Sequence, residues 1–400
     1  NAQLPTETPG PTSTPAPIDR QPGETVAMAT PSEDLFKALG SAAALASGVD
    51  RVTVVQLDSG KATDLPVRRS SSILAVVAPD GSRCLVIDRS GGRVSVRMYG
   101  ANGTETASWS PKSHAATPVA FPIASPVAGT SSIMTGDRIA WKRDGSGAVI
   151  AVAGVGVFVA DAKLKMTPLK VGQPHAVTAV AWSPSEQSIA VGIWDGERRA
   201  ASIVTISVQS PNSEGTPVLA LPDGDGRYVR SLAWGTERVG LVFALRAAST
   251  NFSLPNDLYY LPRFGQPMRL LASAGVAAPA AVIDQIAVAG NGTTVAFTVL
   301  IPGEVGLRFH SVWVTDAVAP GLIQADTSGL RRVTDVVWTT VGLTVSGTRR
   351  TQQDGAAYQV AVVDRLTADA SRQISADRSA ATPVASPVAS PAPATPVESR

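Results

Sequence analysis

One short pattern recurs six times along the 400-residue chain. Each copy has an apolar strand that ends at an anchor residue, then a turn, then a second apolar strand. The anchors are Val77, Trp141, Trp182, Trp234, Val288 and Trp338. From Trp141 onward, successive anchors lie 41, 52, 54 and 50 residues apart. A repeat of this kind predicts one structural unit per copy, with neighbouring units sharing a core.

The interval between the first two anchors is longer than the others. It measures 64 residues, and it contains the proline-rich insert TPVAFPIASPVAG at residues 117–129. Without those 13 residues the interval is 51, which agrees with the rest of the repeat. The insert is therefore predicted to be a spacer within an otherwise regular array, because closely spaced prolines do not fit a central strand.

The strands of the repeat are apolar on both faces. In the five copies from Trp141 onward, the residue two positions before the anchor is bulky, as in Val180, and the residue one position before it is smaller, as in Ala181. Adjacent strand residues face opposite sides of a sheet, so both faces are predicted to be buried. The turns use residues typical of hairpins: Pro79-Asp80-Gly81, Asp144-Gly145, Ser183-Pro184 and Asn291-Gly292.

A second strand pair follows each hairpin, so each copy contains four antiparallel strands. Helical solenoids are excluded because the apolar period is two. The sequence predicts an all-β fold, a β-propeller of four-stranded antiparallel blades. Seven blades are expected, with a degenerate first blade supplied by residues 41–67; six blades closed by an N-terminal strand are the alternative.

Three segments are predicted. Residues 1–24 form a disordered Pro/Thr-rich linker, residues 25–376 a single propeller domain, and residues 377–400 a disordered tail rich in Pro, Ala, Ser and Thr. Such compositions bury too little apolar surface to offset the entropy of ordering. The chain begins at Asn1, and we expect a signal or anchor segment to have been removed. The proline-rich tethers favour an extracytoplasmic location: secreted, periplasmic or at the cell surface.

Charge and apolar runs limit the classes of partner. The formal net charge is +2, and no run of five basic residues occurs, so nucleic-acid binding is not expected. No apolar run reaches the roughly 18 residues of a membrane-spanning helix. The single cysteine, Cys84, lies in the apolar stretch RCLVID and is predicted to be a small buried residue. We expect a monomer.

Catalytic motifs are not apparent. His114, His175 and His310 occupy unrelated positions of the repeat, which fits neither a zinc site nor a Ser-His-Asp arrangement. In LPDGDGRY, Asp223 and Asp225 could face one cation, but the further oxygen ligands of a calcium site are missing, which favours a connection between blades. No cofactor, no metal and no enzymatic activity are predicted.

Two hinges, APDGSRCLVI and WSPSEQSIAVGI, resemble the SPDG turn of bacterial TolB-type and WD-repeat-like propellers. The resemblance covers roughly Val52 to Ile374. The overall style is similar to the propeller half of actinobacterial cell-wall lipoproteins of the LpqB type. What the resemblance implies is a binding platform in the periplasm or on the cell surface.

Polar residues precede or open the first strand of several copies, where the loops of a propeller meet the central channel. These candidate partner-binding residues are Asp137, Arg138, Arg230, Asp284 and Asp335. The sequence thus predicts a non-catalytic exported propeller that binds a protein or a cell-envelope partner. The alternatives are a hydrolase or lyase with a carboxylate or metal site at the channel, and a sensor domain for sugars or small molecules.

Overall fold

The computed structural model describes most of the chain between residues 43 and 374. The described ranges are 43–47, 51–56, 62–68, 73–90, 93–111, 137–171, 177–235, 240–248, 256–262, 264, 266–274, 281–290, 292–302, 308–317, 322–325, 330–339, 342–349, 355–360 and 371–374. The predicted linker, insert and tail lie outside the described residues. In these ranges no helix is long and apolar enough to cross a membrane.

The described strands form antiparallel sheets in chain order. The first sheet has three strands: β1 (Ala43–Ser47), β2 (Arg51–Gln56) and β3 (Ala62–Arg68). The next two have four strands each: β4 (Ile73–Val77), β5 (Arg83–Asp88), β6 (Ser95–Gly100) and β7 (Glu105–Trp109), then β8 (Arg138–Trp141), β9 (Gly147–Val152), β10 (Gly156–Asp161) and β11 (Met166–Leu169).

The remaining sheets continue this order, four strands at a time. They are β12 (Val177–Trp182), β13 (Ser188–Asp195), β14 (Ala200–Ser207) and β15 (Thr216–Ala220); β16 (Arg227–Trp234), β17 (Leu241–Ala247), β18 (Asp257–Leu261) and β19 (Arg269–Ser273); β20 (Val282–Val288), β21 (Thr294–Pro302), β22 (Arg308–Asp316) and β23 (Ile323–Ala325); and β24 (Leu330–Thr339), β25 (Gly342–Arg349), β26 (Gly355–Val360) and β27 (Ser371–Ile374).

The sheets follow one another around a central axis. The first strand of each four-stranded sheet contacts the first strand of the next, through β4, β8, β12, β16, β20 and β24. Strand β1 contacts both β24 and β4, which closes the ring. These first strands therefore line the channel, and the all-β propeller of four-stranded antiparallel blades is confirmed.

The number of complete blades is smaller than the sequence predicts. Five sheets, from β4 to β23, are four-stranded blades whose side chains are largely described. Counting these gives five blades, whereas seven or six are predicted. The difference concerns the two sheets that meet at the ring closure. The N-terminal residues supply three strands instead of four, and few side chains of β24–β27 are described.

The anchor tryptophans join neighbouring sheets. The indole Nε1 of Trp182 donates a hydrogen bond to the carbonyl of Ala140 in the preceding sheet, at 2.9 Å. The same bond joins Trp141 to Val76 and Trp338 to Ala287, at 3.0 Å in each case. A buried indole N–H needs such a partner, and its acceptor here is always one residue before the anchor of the previous copy.

The apolar core lies between the sheets. One cluster joins Val149 and Ala151 of β9 with Val180 and Trp182 of β12. All six residues of β9 and all six of β12 are buried, as expected for strands that are apolar on both faces. Cys84, with 1% of its surface exposed, packs inside another such cluster, so its predicted burial is confirmed.

The hairpin turns share one geometry. The amide of Gly145 donates to the carbonyl of Lys142 at 3.1 Å, and Gly145 has a φ of +70°. Gly81 and Gly292 adopt the same left-handed conformation in their copies. In the Ser183-Pro184 turn the corresponding residue is Glu186, with a φ of +58°. Glycine adopts this conformation without the steric cost that a side chain adds.

Candidate functional site

The predicted channel residues lie on, or directly before, the channel-lining strands. Asp137 precedes β8, Arg138 is its first residue, and Arg230 and Asp284 belong to β16 and β20. Asp335 lies on β24 opposite Ser346, but its side chain is not among those described. We call this end of the channel the charged mouth, defined by Asp137, Arg138, Arg230 and Asp284.

Asp137 forms an ion pair with a residue that sequence analysis missed. Arg89, directly after β5, donates from Nε to Oδ2 and from Nη2 to Oδ1, both at 2.6 Å. Its Nη2 also donates to the carbonyl of Ala153 at 2.7 Å, and the amide of Ala153 donates to Asp137 at 2.9 Å. The hydrogen bonds to Asp137 raise the pKa of Arg89. This bidentate pair joins two adjacent blades.

A second ion pair joins two further blades at the charged mouth. Arg230 donates to Oδ1 of Asp284 from Nε at 3.0 Å and from Nη2 at 2.6 Å. Burial lowers the pKa of Arg230, but the charge and hydrogen bonds of Asp284 outweigh it, so the pKa is raised. The predicted residues Arg230 and Asp284, 54 positions apart in sequence, are thus brought into direct contact.

The charges of both ion pairs act on Arg138, through Arg230, Asp284 and Asp137. The Nε of Arg138 donates to the carbonyl of Thr178 at 2.6 Å, and its Nη1 donates to the carbonyl of Asp137 at 2.8 Å. Its Nη2 is buried and has no hydrogen-bond partner among the residues that the structure describes. Burial, together with the like charge of Arg230, lowers the pKa of Arg138 to about 10. The charged mouth therefore holds a guanidinium whose charge is incompletely compensated.

The acidic loop that sequence analysis weighed as a cation site is divided between two arginines. Asp225 accepts two hydrogen bonds from Arg227, both at 2.7 Å. Asp223 accepts from Arg198, with Nε at 2.9 Å and Nη2 at 2.7 Å. Among the described residues no group of three or more His, Cys, Asp or Glu side chains could hold a metal ion.

A buried polar cluster in the β16–β19 blade was also missed. The hydroxyl of Tyr259 lies 3.1 Å from Nη1 of Arg227 and donates to Oδ2 of Asp257 at 3.3 Å. Burial raises the pKa of the Asp257 carboxyl. Burial, and then the charge of Asp257, raise the pKa of Tyr259. The raised pKa of Asp257 favours the neutral carboxyl inside this blade.

A cavity of about 320 Å³ lies at the opposite end of the channel, where the lining strands end. We call it the indole cavity, because four anchor tryptophans line it: Trp141, Trp182, Trp234 and Trp338. Small residues one position before the anchors complete its wall: Ala140, Ala181, Ala233 and Ala287. The sequence assigned these residues to packing only. The repeat itself could have revealed the cavity, because equivalent positions of the blades in a closed ring converge on its axis.

The rim of the indole cavity is polar on one side and apolar on the other. Lys142 lies over the ring of Trp182, with Nζ 5.1 Å from the centroid, and it pairs with Glu186 at 3.3 Å. The neighbouring Arg143 also lines the cavity. On the other side the ring of Trp234 meets that of Phe264 edge to face, with centroids 5.8 Å apart.

His114 and His175 lie outside the described residues, and for His310 only the strand position in β22 is described.

Comparisons with known proteins support the fold. The sequence matches no known protein family, and no curated protein matches it. The β-propeller domain of Cps50 (Swd1) from Myceliophteria thermophila is similar in structure, with a TM-score of 0.52 and 10% identity over 86% of this chain and 98% of that one. A chain of the mitotic checkpoint complex matches with a TM-score of 0.50 and 13% identity, over 90% and 100% of the two chains. An oligogalacturonate lyase in complex with manganese gives 0.47 and 10% identity, over 80% and 81%.

At these identities the likeness shows the β-propeller fold alone. The finer resemblance to TolB-type or LpqB-type proteins stays a prediction. Propellers serve unrelated functions, so function has to be argued from the sites of this chain.

Proposed function

We propose that this β-propeller is a non-catalytic scaffold that binds a protein or cell-envelope partner outside the cytoplasm. The observation that carries the proposal is the pairing of the carboxylates at the charged mouth. Asp137 is held by Arg89 and Asp284 by Arg230, each across a blade boundary. A carboxylate that acts as a general acid, a general base or a metal ligand has to be free to bind its substrate or metal, whereas these two are each engaged by an arginine. Here these groups hold blades together instead.

Ion pairs that join neighbouring blades suit a binding scaffold. The paired side chains at the charged mouth have between 9% and 32% of their surface exposed, so a partner in the channel can contact them while each is held by its ion pair. Fixed polar groups of this kind reduce the entropy lost on binding a partner. The proline-rich segments of the sequence support a tethered, extracytoplasmic chain.

The proposal is tested by selection of binding partners. The full chain, immobilised, is panned against a library of random linear peptides displayed on phage, and selected peptides are resynthesised for titration calorimetry. We expect saturable binding by peptides that share a sequence pattern. The native protein is expected in the cell-surface or secreted fraction, and as a monomer in light scattering.

Different results would contradict the scaffold. The scaffold proposal is contradicted if no peptide is enriched and elemental analysis finds a tightly bound divalent cation. If that cation were lost in the Asp284→Ala variant but kept in Asp161→Ala, a carboxylate-based enzyme would replace the scaffold. Asp161 serves as the control because it is exposed at the end of β10 and its carboxylate accepts hydrogen bonds from backbone amides.

A further inference from the structure

We propose that the indole cavity binds one apolar side chain of an extended partner peptide, and that Arg143 at its rim pairs with an acidic group beside that side chain. The inference rests on the proposed scaffold function and names the surface and the chemistry of the partner. It assigns binding to the end of the channel opposite the charged mouth.

Three of the four tryptophans that line the indole cavity have no N–H group available to a ligand. Trp141, Trp182 and Trp338 each give their Nε1 hydrogen to a backbone carbonyl of the preceding sheet. What remains toward the cavity is aromatic ring surface, with the methyl groups of residues such as Ala233 and Ala287. A polar group placed against this part of the wall would lose hydrogen bonds to water without replacement. The part of the ligand inside the cavity is therefore apolar.

The volume limits the size of that part. At about 320 Å³ the cavity lies at the lower end of the roughly 300–1,000 Å³ range of ligand pockets. It has room for about ten water molecules at ~30 Å³ each. Release of water from apolar walls favours binding. One large side chain, or two small ones, fills this space, while most cofactors exceed it.

The charges at the rim favour an acidic neighbour. Lys142 already has a counter-charge, Glu186, at 3.3 Å. Arg143 is exposed and forms no ion pair with any residue that the structure describes. The carboxylate of the neighbouring Asp144 accepts a hydrogen bond from the amide of Ser146 at 2.8 Å. Arg143 can thus pair with a carboxylate of a ligand whose apolar part lies in the cavity, which adds specificity to an apolar contact.

The apolar surface continues beyond the cavity, which favours a peptide over a compact molecule. Trp234 lines the cavity and also contacts Phe264, which has 47% of its surface exposed. Arg143 follows β8 and Phe264 follows β18, so they belong to blades on either side of the β12–β15 blade. A ligand that meets both has to extend across the channel opening. The contact of Phe264 with Trp234 makes it continuous with the apolar wall of the cavity, and aromatic side chains are enriched in interfaces.

The test uses the peptides selected on the full chain. Ala233→Leu combined with Ala287→Leu fills the cavity, and Arg143→Glu reverses the charge at its rim. We expect either change to weaken binding about tenfold or more, and selected peptides to share an acidic residue beside a large apolar one. Binding is also expected to change the tryptophan fluorescence of the wild-type chain.

Matched controls separate the site from general effects. Val155→Leu enlarges an exposed apolar residue, and Lys163→Glu reverses an exposed charge, both away from the cavity; neither should alter affinity. Circular dichroism verifies the fold of each variant, and Arg143→Glu tests the site even if the double variant misfolds. Peptide binding that is unaffected by both cavity changes would overturn this inference and leave the scaffold intact. Binding of an aromatic sulfonate dye in the cavity, with no peptide bound, would also overturn it.

Discussion

Asp257 illustrates how one buried side chain couples the stability of a propeller to pH. Asp257 has 5% of its surface exposed, and its Oδ2 accepts a hydrogen bond from the hydroxyl of Tyr259. Burial raises its pKa above that of the unfolded chain. The neutral form is thus favoured in the folded state. Its contribution to stability is complete below the unfolded pKa, and it is lost as the pH rises through the folded pKa.

We therefore expect Asp257→Asn to increase the free energy of unfolding at neutral pH, because burial penalises the charged form of Asp257 and a neutral amide of similar shape avoids that cost. Urea denaturation at several pH values measures this. Asp161→Asn should act in the opposite direction. The pKa of Asp161 is lowered, chiefly by hydrogen bonds from the backbone of Lys165 and Lys163, so its contribution is present at neutral pH and lost on acidification. A decrease in stability for both variants at neutral pH would refute the argument for Asp257.

Gly145 is a second residue at which a substitution should lower the stability, because a Cβ atom does not fit there. A Cβ there would lie 2.6 Å from Oδ1 of Asp80, and the φ of +70° disfavours any side chain. Asp80 has little freedom to move, because it accepts the amide and the hydroxyl of Ser82. We expect Gly145→Ala to cost about 2–3 kcal/mol, roughly 1–2 of it from the left-handed conformation.

Gly224→Ala is the matched control for that prediction. Its φ is +79°, but a Cβ there would meet nothing within 4 Å, so only the conformational cost of about 1 kcal/mol should appear in the denaturation midpoint. Equal losses for the two variants would show that the contact with Asp80 contributes nothing.

At the scale of the secondary-structure element, the contact that recurs is the hydrogen bond from an anchor indole to a carbonyl of the preceding sheet. Trp182→Phe keeps an aromatic ring but removes the donor to Ala140, so we expect a loss of about 1 kcal/mol from the hydrogen bond, with a further cost for the smaller ring. In the described part of the chain the Trp234 indole makes no equivalent bond, and it packs against Phe264. Trp234→Phe should therefore cost less. Guanidinium denaturation compares the two, and a larger loss for Trp234→Phe would contradict the proposed contribution of the bond.

The strands that carry the anchor residues also show which features can be predicted from the sequence and which cannot. The spacing of the anchors identified Trp182 as a packing residue and predicted the hairpins, because strand period and turn residues are local signals. The pair of Arg89 with Asp137 was missed, since it joins residues 48 positions apart that share no pattern. The indole cavity was missed for a related reason. The repeat placed one tryptophan in each copy, but their convergence depends on the closure of the ring.

At the scale of the whole molecule, closure depends on the two sheets that meet where the chain begins and ends. Strand β1 contacts β24, β25 and β26, and the cluster around Trp338 and Leu343 also contains Val312 and Val314 of β22. We expect a chain truncated after residue 329 to expose these apolar faces and to aggregate, as judged by soluble yield and size-exclusion chromatography. Truncation after residue 376 is the control, and it should leave the unfolding midpoint unchanged because the tail composition gives little to bury. A soluble monomer from the shorter chain would show that closure is not required.

The sequence predicted this architecture at the level of fold and repeat, and it failed at the count of complete blades. The predicted degenerate first blade corresponds to a sheet of three strands, β1–β3. Weak patterns at the N-terminus were open to more than one division into strands, because only contacts with β24 and β4 define where that sheet lies. Four predicted channel residues proved to be neighbours at one mouth, yet the pairing that engages their carboxylates required the three-dimensional arrangement.

The direction of the indole bonds bears on how the molecule is made. Each donor tryptophan reaches back to a carbonyl in the sheet that precedes it in the chain. During synthesis on the ribosome the acceptor is therefore already outside the exit tunnel when its donor emerges, and blades can dock one at a time, in the order of translation. Only the contact of β1 with β24 has to wait for the last blade. The nascent chain thus carries a growing, open arc, whose two unsatisfied edges are the surfaces that a chaperone would need to cover until release.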